Sequence, residues 1–222
     1  MDETRSSDTR KNLRVFSVKD YIRILERNLS VLIHLPEMKR QSITVRTTNL
    51  EGVLLISIDY FEDHRGEYVE TYNRRDYHKA GITYDFLEDD YSRSYQNVLR
   101  GIHGDAETSK LISCLYGKFY LVVVDCRTES SHFGMWQSFV LSDRNKRQVL
   151  IPPGFGNGHL VLSEEAIFHY KQSAYYNPTA QFTYRYDDPR FNIWWPVKNP
   201  ILSRRDEFGQ CVSLAAKGVS LP

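Results

Sequence analysis

Between residues 97 and 105 the chain reads NVLRGIHGD, an apolar pair running into Arg100, Gly101, His103 and Asp105. In an extended strand His103 and Asp105 fall on one face, because successive side chains alternate. Such a pair can serve as part of a metal site, as a catalytic base beside an anion-binding arginine, or as an ordinary strand end. Metal-binding β-barrels usually offer two histidines and a carboxylate from one hairpin and another histidine from a later strand. Here the donors are His103, Asp105 and, much later, His159 in PPGFGNGHL, with no H-x-H. That set is incomplete, and no metal is expected. A second reading starts from Arg65 in FEDHRGEYVETYN, from Arg100, and from Lys110, which opens an apolar run. Brought together at the mouth of a closed sheet, they would bind a diphosphate, which the planar fork of arginine matches with paired hydrogen bonds. Taken singly, Arg65 and Arg100 are more simply surface partners of nearby carboxylates.

The elements that must position these residues are β-strands. From Ile43 onward, short β-rich runs such as KLISCLYG, KFYLVVVDC, RQVLIPPG, HLVLS, AIFHYKQSAYY and QFTYRYDD alternate with Gly, Pro, Asp and Ser. This texture predicts an antiparallel sandwich or barrel. The 15 tyrosines exceed what a core needs, and such strands often line a wet cavity where the ring packs and the hydroxyl finds a partner. Upstream, residues 1–14 form a charged tail that buries too little to order itself. Residues 17–36 read as an amphipathic helix: Val18, Tyr21, Ile22, Leu25, Leu29 and Leu32 keep the helical period, Ser17 caps it with Asp20 three positions on, and Pro36 stops it. Alternatively, Met38 opens a compact domain and the first 37 residues are an extension outside the chemistry.

A chain of 222 residues with 41% apolar content supports one main domain. Lysine and arginine number 29 against 28 acidic residues, so no global field favours nucleic acid or an anionic membrane. Any anionic ligand needs a local cluster. Cys114, Cys126 and Cys211 show no CxxC spacing and no secretory leader precedes them, which predicts reduced thiols and a cytoplasmic location. The apolar stretch VLIHL is too short to span a bilayer.

Several segments, in order and spacing, resemble the dTDP-4-dehydrorhamnose 3,5-epimerase family: FEDHRGEYVETYN, EDDYSRSYQNVLRGIHGD, KLISCLYGKFYLVVVDCR, FGMWQSFVLS, RQVLIPPGFGNGHLVLS, FHYKQSAYY, DDPRFNIWWP and PILSRRD. The resemblance runs from about Val53 to Asp206. It implies an all-β, cupin-type double-stranded β-helix (jelly roll) over residues 43–222, with residues 1–42 as a tail and short helical extension. It further implies a homodimer without metal or cofactor, acting on a nucleotide-diphosphate 4-keto-6-deoxy sugar. On this resemblance His103 is the base, Asp206 orients it, Tyr170 is the opposing acid, and Lys110, with Ser109 in place of the usual glycine, opens the pocket strand. His159, Arg65, Glu70 and Arg100 match substrate contacts.

The chemistry is coherent. A ketone at C4 acidifies the C–H bonds at C3 and C5, because the carbanion delocalises as an enolate. Neutral imidazole titrates in the right range to remove such a proton. Lys110, with His159, would stabilise negative charge developing on O4, and Tyr170 would return a proton from the opposite face. No G-x-G-x-x-G suggests a redox cofactor.

The chain departs from the family pattern in two places. The usual F-x-Q-D-N is Phe86-Leu87-Glu88-Asp89-Asp90, and R-G-L-H-x-Q is R-G-I-H-G-D. Carboxylates accept hydrogen bonds only, so Glu88 and Asp90 at the base-binding edge suit the N1–H and N2–H donors of guanine better than thymine. This leans the nucleotide toward GDP over dTDP, as in relatives handling GDP-4-keto sugars, including heptoses, unless one carboxylate pairs with Arg93. A sugar-nucleotide 3,4-ketoisomerase and a catalytically silent sugar-nucleotide-binding module are the rival readings.

Overall fold

The computed structural model describes residues 42–209 together with residues 18, 19, 22 and 23, which are helical. The charged tail, the remainder of the expected N-terminal helix with its Ser17 cap and Pro36 stop, and Cys211 lie outside the described residues. The chain divides into units of residues 1–40 and 41–222, and every strand belongs to the second.

In chain order the elements are β1 (Ile43–Thr47), β2 (Leu54–Ile58), β3 (Phe61–Asp63), β4 (Gly66–Tyr68), α1 (Arg74–Lys79), β5 (Glu88–Tyr95), β6 (Leu99–Gly104) and β7 (Lys110–Tyr116). There follow β8 (Lys118–Asp125), β9 (Trp136–Ser142), β10 (Arg147–Ile151), β11 (Phe155–Val161), β12 (Glu165–Gln172), β13 (Phe182–Thr183) and α2 (Arg204–Phe208). A six-stranded sheet, β1-β2-β10-β7-β12-β5, faces a five-stranded sheet, β13-β6-β11-β8-β9, and β3–β4 forms a separate hairpin. This is the expected jelly roll.

Alternation along the strands divides the side chains between the core and the outer layers. Ile112, Val149 and Phe168 from the first sheet meet Phe119, Leu121, Val123, Leu141 and Phe155 from the second in the inter-sheet core. On the outer face of the six-stranded sheet, Ile56, Leu111 and Leu150 are covered by Tyr77 of α1 and by Ile82. The outer face of the other sheet, with Leu99, Ile102, Val122 and Leu160, is covered by aromatic residues between Phe182 and Trp195. Both sheets are therefore buried on two sides over much of their area, which explains continuous apolar runs such as FYLVVV.

Two elements differ from the sequence expectation. The segment FGNGH, expected as a turn before the strand HLVLS, is itself strand, and β11 is buried at every position. Its glycines are steric. A Cβ on Gly101 of β6 would lie 2.5 Å from the Gly158 Cα, so β6 and β11 approach closer than side chains allow. Segment GEYVETYN forms only a three-residue strand, and the chain then enters α1, where Asn73 caps by accepting the Arg75 N–H.

Candidate active site

Between the two sheets, at the end where β7 begins and β12 finishes, opens a cleft of about 350 Å³. The five-stranded sheet contributes Arg100 and His103 from β6 and Asn157 and His159 from β11. The six-stranded sheet contributes Lys110 from β7, Phe168, Tyr170 and Gln172 from β12, and Ser92 from β5. The even-numbered residues of β12 point inward, while His169 and Lys171 point outward and share Asp89. Ser203, Arg205 and Asp206, at the start of α2, complete the wall.

His103 and Asp206 are 103 residues apart in sequence, yet His103 Nε2 lies 2.6 Å from Asp206 Oδ1. Asp206 is buried. The same oxygen accepts the Gly101 N–H at 3.1 Å, and Oδ2 accepts the Ser203 hydroxyl at 2.6 Å. Burial opposes ionisation of Asp206, but hydrogen bonds from His103 and Ser203 outweigh it and lower its pKa below the ordinary carboxylate value. An ionised carboxylate only accepts, so Nε2 carries the proton and Nδ1 holds the free lone pair. Burial lowers the His103 pKa below 6.5, against the opposing pull of Asp206, so the imidazole is neutral at pH 7.

The other groups complement this base. Burial, reinforced by the charges on Asp90 and Glu88, raises the Tyr170 pKa, and the phenol keeps its proton. Burial lowers the Lys110 pKa, while Asp105 opposes that shift. Among the described residues Lys110 has no hydrogen-bond or ion-pair partner, and its side chain lines the cleft. His159 stacks on Phe168 at 4.0 Å, its pKa pushed down to about 3 by burial and by Arg100. Among the described residues its buried Nε2 has no hydrogen-bond partner. An orphaned polar atom in a cleft wall is what a ligand hydrogen bond would satisfy. Arg100 is held by its Nε–H to Ser94 at 2.9 Å, and Arg205 by its Nε–H to Thr183 at 2.9 Å.

Of the residues singled out in the sequence, His103, Lys110, His159, Tyr170, Arg100 and Asp206 converge on the cleft. Glu88 and Asp90 sit on the neighbouring strand β5, opposite Gln172 and Tyr170 and on the same face, but do not line the cleft. Gln172 Nε2 donates to both, and Glu88 also accepts the Tyr176 N–H at 2.9 Å. Arg93 pairs with Glu165 instead. Arg65 and Glu70 do not line the cleft: Arg65 sits on the β3–β4 turn bound to Asp63, and Glu70 lies near Tyr77 on the outer side of the sheet. Asp105 pairs with Gln181 rather than supporting His103. The structure adds Arg205, Tyr176, Gln181 and Asn157. The sequence signal for Asn157 is its place two residues before His159, on the same strand face, and for Arg205 its place beside Asp206. Among the described residues no three histidine, cysteine or acidic side chains converge as metal ligands.

A jelly roll whose cleft sets a carboxylate-oriented imidazole on one sheet against a protonated phenol on the other holds the kinds of group that general acid–base chemistry uses. The dTDP-4-dehydrorhamnose 3,5-epimerase family profile matches residues 47–213. The chain is 39% identical over 172 residues to the dTDP-4-dehydrorhamnose 3,5-epimerase of Shigella flexneri, spanning 76% of this chain and 95% of the relative. It superposes with a TM-score of 0.73 on the dTDP-6-deoxy-D-glucose-3,5-epimerase of Legionella pneumophila in complex with dTDP-4-keto-L-rhamnose, at 37% identity, covering 78% of this chain and 94% of that one. A 3'-monoepimerase of Streptomyces bikiniensis in complex with dTDP-quinovose matches with a TM-score of 0.71 at 28% identity, covering 78% and 89%. The chain belongs to the dTDP-4-dehydrorhamnose 3,5-epimerase family, an isomerase family acting on nucleotide sugars.

Proposed function

We propose that this chain epimerises a dTDP-linked 4-keto-6-deoxy sugar at C3 and C5. The observation carrying this reading is the pairing, across one cleft, of the His103–Asp206 dyad with Tyr170 from the facing sheet. His103 Nδ1 removes the proton α to the C4 ketone, and Asp206 stabilises the imidazolium. The electron pair moves onto O4 as an enolate beside the Lys110 ammonium, a stabilisation of the kind that commonly contributes about 3 kcal/mol. Tyr170 then delivers its proton to the other face of the same carbon and inverts it. Arg100 and Arg205 take the diphosphate, and the neutral His159 hydrogen-bonds to the sugar. Residues 43–222 carry this chemistry and residues 1–42 take no part in it.

The nucleotide follows the names of the relatives, which are dTDP-linked. One observation favours GDP as a second reading: the carboxylate pair Glu88 and Asp90 in place of the family's amides. Gln172 Nε2 already donates to both carboxylates, however, and neither lines the cleft.

The active form on this reading is a homodimer. Strand β2 runs from the cleft end, where Leu54 pairs with Leu150, to the far end, where Ile58 donates to Lys146, and the β3–β4 hairpin continues from there. Lys146 holds the hairpin through Glu67 at 2.5 Å. Arg65 is thus remote from its own cleft and serves the cleft of a second copy, with Glu70. Proton NMR of the purified protein with dTDP- and GDP-linked 4-keto-6-deoxyglucose tests the reaction. Inverted ring couplings at C3 and C5 in the dTDP series are the expected result; conversion of neither sugar would overturn it.

A further inference from the structure

Gln181 lines the cleft together with Lys110, yet it is only 7% exposed. The antiparallel pairing of Phe182 with Gly104 and Thr183 with His103 carries it across from Asp105, and its Nε2 donates to Asp105 Oδ2 at 2.7 Å. Asp105 is itself 4% exposed. Its other oxygen accepts the backbone N–H groups of Glu107 at 2.9 Å and Thr108 at 2.6 Å. Burial opposes its ionisation, but these donors and the Lys110 charge outweigh it and hold the pKa below the usual carboxylate value.

An ionised carboxylate only accepts hydrogen bonds, so the Gln181 amide cannot flip. Its NH2 is committed to Asp105, and its carbonyl oxygen is the atom left for the cleft. Among the described residues nothing donates to that oxygen, and it is not among the buried unpaired atoms. A glutamine at position 105, the usual residue of the R-G-L-H-x-Q pattern, could donate as well as accept and would impose no such polarity. We propose that Asp105 is a positioning residue: it fixes the Gln181 carbonyl toward the cleft, where it accepts a ring hydroxyl of the sugar beside Lys110. The step rests on the epimerase reading above.

Asp105→Asn keeps an acceptor for the two backbone donors but presents an NH2 to Gln181 and forces its amide to turn over. Its kcat/KM is expected to fall about tenfold, mainly through KM, as for one lost substrate hydrogen bond. In Asp105→Asn/Gln181→Glu the glutamate accepts from the new asparagine and again offers an oxygen to the cleft, so kcat/KM should return to within about threefold of the parent. A normal kcat/KM in Asp105→Asn, or a double variant no better than the single, overturns the proposal. Gln181→Met, which removes the amide without touching Asp105, must raise KM as well; an unchanged KM overturns it even if Asp105→Asn does not fold. The 15N side-chain amide resonance of Gln181, identified by its loss in Gln181→Met, reads the clamp without turnover. Slow solvent exchange is expected, and exchange as fast as an exposed glutamine overturns it. A wild-type protein that epimerises neither sugar while keeping this slow resonance would fail the functional reading and leave the clamp standing.

Discussion

A histidine base is useful only if it is neutral and correctly tautomerised when substrate arrives, and at His103 burial and Asp206 secure the two conditions separately. Because burial lowers the His103 pKa below 6.5, the neutral base persists as the pH falls through 6.5. The acid limb of kcat/KM for the free enzyme should therefore lie below pH 6.5, and a limb at or above that value would contradict the assignment. The same shifts act on stability. Both His103 and Asp206 have folded pKa values below their unfolded ones, so between those values the folded state binds fewer protons, and stability is lost as the pH falls from about 6.5 through the folded His103 pKa and again from the ordinary aspartate range through the folded Asp206 pKa. At this scale the family resemblance points to His103, Lys110, His159, Tyr170 and Asp206, and all five line the cleft. Nothing in the sequence singles out Gln181 or Tyr176, because a lone glutamine or tyrosine has no spacing signature and becomes a cleft residue only through the pairing of β13 or the Glu88 contact that holds Tyr176. Asp105 was noticed, but alternation along a strand suggested His103 as its neighbour, and the chain leaves the strand at Gly104.

The strands legible as apolar runs, such as β7, β8 and β12, form where expected. Those built for close approach do not advertise themselves. Glycines punctuate turns often enough that FGNGH read as a loop, although here they permit β11 to lie against β6 and bring Asn157 and His159 beside His103. Strand β5, with the charged sequence EDDYSRSY, offers no apolar run because it is a sheet edge with a polar outer face. The packing argument has a direct test. Gly101 has φ +120° and its Cβ would meet Gly158 at 2.5 Å and the Asn157 carbonyl at 2.6 Å, whereas Gly81 has φ +86° and open space around it. Gly101→Ala should cost about 3 kcal/mol or more from overpacking and backbone strain together. Gly81→Ala should cost only about 1 kcal/mol from backbone strain. Equal losses in urea unfolding would show that close approach of β6 to β11 is not what Gly101 provides.

For the whole molecule, a formal net charge of +1 conceals a cleft that gathers Arg100, Lys110 and Arg205, so anion binding is local rather than a property of the global field. No helix among the described residues is long and apolar enough to cross a membrane. The hairpin at the end opposite the cleft makes the proposed dimer testable by complementation. His103→Ala and Arg65→Ala are each expected to be strongly impaired, but a hybrid dimer holds one cleft with an intact His103 and the partner copy's intact Arg65. Refolding an equal mixture should restore about a quarter of wild-type activity, since half the dimers are hybrid and half their clefts are complete. A mixture no more active than its components would place Arg65 outside any shared site. The central claim, that a buried dyad on one sheet and a phenol on the other divide the two proton transfers, is tested most directly by deuterium wash-in from heavy water, followed by NMR in His103→Ala and Tyr170→Phe. We predict that His103→Ala slows exchange at C3 and C5 by at least about a hundredfold, while Tyr170→Phe still exchanges deuterium and forms little inverted product. Exchange at the wild-type rate in His103→Ala would remove the imidazole from the reaction and contradict the account.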